Sequence, residues 1–149
     1  MGSYNQALFG VLFCWIHFIR IYNYMIVYAP ISVGELIDKI TILKIKSHLI
    51  KDEDKLKNIE KELQSLEELK DELNLDLDKL DPLQSQLYKV NTELWHIENY
   101  KRASEKEQLF DDAFINAARQ VYLKNDLRAK IKKDINTLVG STIVEEKSY

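Results

Sequence analysis

A chain of 149 residues fits one compact domain, and its 46% hydrophobic and 30% charged content with Gly 4 and Pro 2 argues against both wholesale disorder and a sheet-rich fold. The formal net charge of −3 is far from the concentrated basic face that a nucleic-acid partner requires. With a single cysteine, Cys14, and with His17, His48 and His96 far apart, the chain has neither an internal disulfide nor a Cys/His metal site to offer, and no cofactor is expected.

The first segment stands apart. Residues 7–29, ALFGVLFCWIHFIRIYNYMIVYA, form the most apolar stretch and match the length of a membrane span. They carry His17, Arg20 and Asn23, and no Lys or Arg precedes them as in a secretory signal. Three readings stay open. Residues 1–24 are an upstream extension of a natural chain that begins at Met25, which is preferred, or residues 7–29 are a membrane anchor, or they are an extra element packed on the domain. Residues 25–149 are the domain itself. Ile26 to Ala29, closed by Pro30, read as a short extended arm.

Ser32 followed by Glu35 forms a capping box, S-V-G-E, that opens a helix over about 33–49. Val33, Leu36, Ile37, Ile40 and Leu43 make one apolar face, and Ile42, Ile45 and Leu49 a second. A helix apolar on two sides belongs at the centre of a bundle. The acids of KDED at 51–54 suit the start of a second helix, which runs to about Leu73 on Leu56, Ile59, Leu63 and Leu66, with Lys70 in one slot of the seam. NLDLDKLDP is the expected turn, with Asp81 as cap and Pro82 in the first helical position. Leu80, Leu83, Leu87, Val90, Leu94 and Ile97 then alternate by three and four, a seam of about three heptads. The second and third helices are therefore expected to form an antiparallel, coiled-coil-like hairpin. Residues 103–108 are polar and read as turn or a fraying helix end. Asp111 or Asp112 opens a last helix on Phe110, Phe114, Ala117, Ala118, Val121 and Tyr122, continued by Ile131, Ile135 and Leu138 to Gly140. STIVEEKSY follows as an extended tail. The fold class is all-α, an antiparallel helical bundle.

Polar residues on these helices supply the candidate sites. Asn91, Trp95 and Glu98 share a stripe beside the third seam, either a binding surface with Trp95 as platform or an ordinary helix edge. Arg119, Asn125, Asp126 and Arg128 mark the last helix, as an anion pocket or as partners of neighbouring acids. Glu35, Asp38 and Lys39 place paired carboxylates at the start of the first helix, where Glu35 already serves the capping box. Phosphate loops, nucleophile elbows and H-E-x-x-H are missing from the sequence, so no reaction is named and enzymatic activity stays open.

PISVGELIDKITILKIK at 30–46, VNTELWHIENY at 90–100, FDDAFINAARQVYLKNDLRAKIKKDIN at 110–136 and GSTIVEEKSY at 140–149 together resemble an uncharacterised bacterial family of small helical proteins. That resemblance covers residues 25–149. It implies a bacterial or phage-related origin, a cytoplasmic setting and a link to cell-surface polysaccharide synthesis. ELIDKITILKIKSHLI is also similar to the first helix of the all-helical chorismate mutases. Those enzymes hold a dicarboxylate with arginines, and this chain has none between Arg20 and Arg102, leaving only Lys39, Lys44 and Lys46 as point charges. The leading expectation is an interaction module that associates with itself or with a partner protein. The alternative is a small-ligand or enzymatic site between helices, lined by Asn91, Glu98, Arg119 and Arg128. Membrane contact is expected only through residues 7–29.

Overall fold

The computed structural model describes residues 27–143 and 146. Residues 1–26, on which the three readings of the N-terminal segment chiefly rest, fall outside that range, as does most of the extended tail; residues 27–30 are exposed and carry neither helix nor strand. Among the described residues there are four helices and no strand: α1 Val33–Leu49, α2 Glu53–Glu72, α3 Leu77–Glu107 and α4 Asp112–Val139.

Each helix opens on an oxygen-bearing cap in extended backbone, which satisfies an N–H that the helix itself leaves unpaired. Ser32 Oγ accepts from the Glu35 N–H at 3.2 Å, Asp52 from Lys55 at 3.1 Å, Asp76 from Lys79 at 3.4 Å and Asp111 from Phe114 at 2.9 Å. The Ser32 cap is as the sequence suggests, but Glu35 sends its carboxylate to Lys132 of α4. The α3 start is a correction. Asp76, not Asp81, is the cap, and Pro82 lies inside the helix. Starting at Leu77 brings fully buried Leu80 into register with Leu87, while Pro82 faces solvent, where the carbonyl deprived of its donor meets water.

The end of α3 is a second correction. Residues 103–107 remain helical, and the chain reverses on Gln108, which takes the left-handed conformation at φ 54°. The N–H of Leu109 donates to Ser104 O at 2.9 Å and that of Gln108 to Glu105 O at 3.2 Å, a helix stop built without glycine. At the end of α4, Gly140 adopts φ 66° and Ser141 N–H donates to Asn136 O at 2.9 Å, as its place in the sequence foretells.

α1 lies at the centre and touches the other three helices. Its Leu36, Ile37 and Ile40 join Leu80, Leu87, Val90 and Leu94 of α3 and Ile131 and Ile135 of α4 in one core. The hairpin, however, is α3 with α4. α2 packs on α1 and does not approach α3 along its length. No residue of α2 is fully buried; Leu63 and Leu66 lean on the core from outside, and Lys39–Glu62 at 2.7 Å and Lys44–Glu67 at 2.9 Å lace α2 to α1.

The polar links from α1 reach α3 at Tyr88 and Asn91 and α4 at Arg128, Lys132 and Asn136. Beyond those levels burial falls away. The buried residues of α4 are Ile131, Lys132, Ile135 and Asn136, all near its C-terminal end, and past Leu94 only Ser104 of α3 is buried. The distal half of the α3–α4 hairpin is thus a two-helix arm.

Candidate functional site

Two polar stripes of helical period face each other where α1 crosses α4. On α1 they are Gly34, Glu35, Asp38 and Thr41; on α4, Asn125, Arg128, Lys132 and Asn136. Asp38 sits at their centre, only 1% exposed. Arg128 lays its guanidinium fork on that carboxylate, with Nε–H donated to Oδ1 at 2.8 Å and Nη2–H to Oδ2 in a shorter contact. Asn91 of α3 donates Nδ2–H to Asp38 Oδ1 and to Thr41 Oγ1, both at 2.9 Å. Thr41 in turn donates to the backbone carbonyl of Asp38 at 2.7 Å. Three helices therefore meet on one carboxylate.

One turn along, Lys132 Nζ reaches Glu35 Oε2 at 2.5 Å, and Asn136 Oδ1 accepts the Gly34 N–H at 2.7 Å. Gly34 allows this approach: a Cβ there would stand 2.5 Å from the Lys132 carbonyl oxygen. No buried side-chain nitrogen or oxygen among the described residues lacks a partner. A charge pair buried in this way costs desolvation, which the fork geometry and the extra donors offset. Its arrangement fixes where α1 docks on the hairpin.

Over residues 27–149 the chain matches the model of a family of unknown function, DUF6165. The chain belongs to that family. No curated protein and no solved structure matches it.

In this DUF6165 member the sequence candidates divide into two groups. Asp38, Asn91, Asn125 and Arg128 come together, Asn125 accepting from Arg128 Nη1 at 3.5 Å and donating to Val121 O at 3.0 Å. Glu35 joins them through Lys132. Lys39 turns away to Glu62, half exposed. Trp95 is partly buried on α3, one turn beyond Asn91, and Glu98 pairs with Lys101 at 3.4 Å. Glu98, Lys101, Arg102, Glu105 and Phe114 line an open groove of 270 Å³ on the arm. Arg119 is exposed. It lies nine residues from Arg128, a half-turn around the helix, so the two arginines do not share a pocket.

Thr41, Lys132, Asn136 and Gly34 escaped the sequence reading. The signal was present as polar residues at i, i+3, i+7 and i+11 from Asn125 to Asn136, on a helix whose apolar stripe was read first. Among the described residues no cluster of His, Cys, Asp or Glu is placed to hold a metal ion, and no helix is long and apolar enough to cross a membrane.

Proposed function

We propose that the chain is a helical interaction module whose contact element is the distal half of the α3–α4 hairpin. The observation that carries this reading is the burial gradient along α4. Leu109, Phe110, Ile115, Tyr122 and Leu123 are all about half exposed, on an arm that neither α1 nor α2 covers. Large apolar side chains grouped in this way mark a surface that gains by being covered. A two-helix hairpin completes itself readily as part of a larger helical bundle. Phe110 and Phe114, edge to face at 5.2 Å, keep the tip in shape without burying it.

The buried polar cluster supports the same reading by the role it leaves open. The guanidinium of Arg128 is engaged by Asp38 and Asn125, and an anionic ligand would have to displace both. The cluster is a structural lock, and the arm is the working surface. The resemblance and the lone cysteine favour a bacterial, cytoplasmic setting for this module.

The test is a photo-crosslinker placed in the full chain at Tyr122 and, as control, at exposed Lys57 of α2. Specific protein adducts are expected from Tyr122 and not from Lys57. Equal yields at both positions would overturn the reading.

A further inference from the structure

The geometry points to a second copy of this chain as the partner, paired antiparallel through the outer face of α4; this rests on the interaction reading above and names its occupant. Ile115, Ala118, Tyr122 and Ala129 fall on one stripe, on the side of α4 opposite the core residues Ile131 and Ile135. Ile115 and Tyr122 are each 52% exposed, while the two alanines allow a second backbone to come close.

Beside this stripe runs a row of charges seven residues apart, Asp112, Arg119, Asp126 and Lys133, all exposed. Their signs alternate. A spacing of seven drifts by only about 20° per repeat on a straight helix, so the row stays on one flank.

The alternation has a symmetry that decides the partner. A two-fold axis through the point between Tyr122 and Leu123, normal to both helices, lays α4 end over end on a second α4. That operation brings the same flank of both copies together. Arg119 and Asp126 lie equally far on either side of the axis, and so do Asp112 and Lys133. Arg119 of each copy then meets Asp126 of the other, and Asp112 meets Lys133, so every pairing joins opposite signs. Lys133 lies 3.6 Å from exposed Glu146 of its own chain, and Asp126 is also engaged within its own chain; both are exposed and can exchange these contacts for the partner's. A patch that complements itself under a two-fold axis is the requirement for a closed dimer. The apolar stripe supplies affinity and the charges supply register and direction.

The experiment is sedimentation equilibrium of the full chain, with Arg119→Asp, Asp126→Arg and the double variant, circular dichroism confirming unchanged helicity. The wild-type chain is expected to dimerise. Each single variant places like charges across the axis twice and should weaken dimerisation by about tenfold, as expected for exposed pairs turned repulsive. The double variant restores opposite signs and should return the wild-type constant. A chain that stays monomeric overturns the pairing, as does a dimer indifferent to the single variants or one that the double variant fails to restore. These failures are distinct from failure of the interaction reading: Tyr122 crosslinks to a different protein would retain the module and remove the self-pairing.

Discussion

The two halves of the α3–α4 hairpin use similar side chains to different ends. At the base, Leu80, Leu87, Ile131 and Ile135 are sealed beneath α1, and a network on Asp38 holds the third helix in place. On the arm, Ile115, Tyr122 and Leu123 carry comparable apolar area and remain half exposed. Amino-acid type does not separate the halves; the reach of α1 does. On the proposed reading, stability belongs to the base and association to the outer face of α4 that α1 leaves uncovered, so substitutions should separate the two.

The largest effect is expected at Asp38. Asp38→Ala leaves the Arg128 fork and the Asn91 amide facing a buried gap, and breaking a buried pair from one side typically costs about 3–5 kcal/mol. Chemical denaturation should register that loss. Replacing both members of the pair, as in Asp38→Leu with Arg128→Met, should cost less than Asp38→Ala alone, since no buried charge is then left uncompensated. A double variant less stable than the single would show that the pair stabilises the base outright.

Gly34→Ala comes next. The added Cβ meets backbone at 2.5 Å and the Asn136 amide oxygen at 2.9 Å, so the helices must part. Overpacking of this kind costs about 1–3 kcal/mol, even though alanine is the better helix former. A melting temperature equal to or above wild type would mean that α1 slides on α4 without loss.

On the arm the stability effects should nearly vanish. Tyr122→Ser, at a half-exposed position, is expected to change unfolding free energy by no more than about 0.5 kcal/mol while weakening association. A change as large as that at Gly34 would place Tyr122 in the folding core and dissolve the contrast between the halves.

Much of this organisation was legible in the residues. Ser32, Asp111 and Gly140 are punctuation with a local mechanism, and each stands at a helix end as read. The two-sided apolar pattern of α1 did place it at the centre. What periodicity could not say is which face meets which. The seam from Leu80 to Ile97 is real, but it serves α1 and α4 rather than α2, because a stripe specifies burial and not its partner. Pro82 misled because proline suits the first turn so well that Asp76, five residues before Asp81, was passed over. Gln108 hid the end of α3 because a left-handed stop without glycine leaves no compositional mark. In the site, Asp38 and Arg128 were each singled out, but their contact spans ninety positions and depends on α1 crossing α4.

The smallest effect expected separates the helix caps from the core. The Lys55 backbone N–H donated to its carboxylate holds Asp52 below its ordinary value of 3.8, and the Lys79 side chain does the same for Asp76. Both groups are exposed, so solvent screens much of this benefit. The sign follows from the direction. A carboxyl whose folded pKa is depressed adds stability that is complete above its unfolded pKa and is lost as pH falls through the folded one. The caps should therefore contribute fully at neutral pH and fade below about pH 4, where the acid becomes protonated and its oxygens accept the helix N–H less strongly. Asn keeps a capping oxygen but has no titrating proton. The double variant Asp52→Asn with Asp76→Asn should thus unfold less steeply between pH 4 and pH 2 than wild type, as followed by helical ellipticity. Identical acid limbs would show that the two caps do not set the acid sensitivity of the fold.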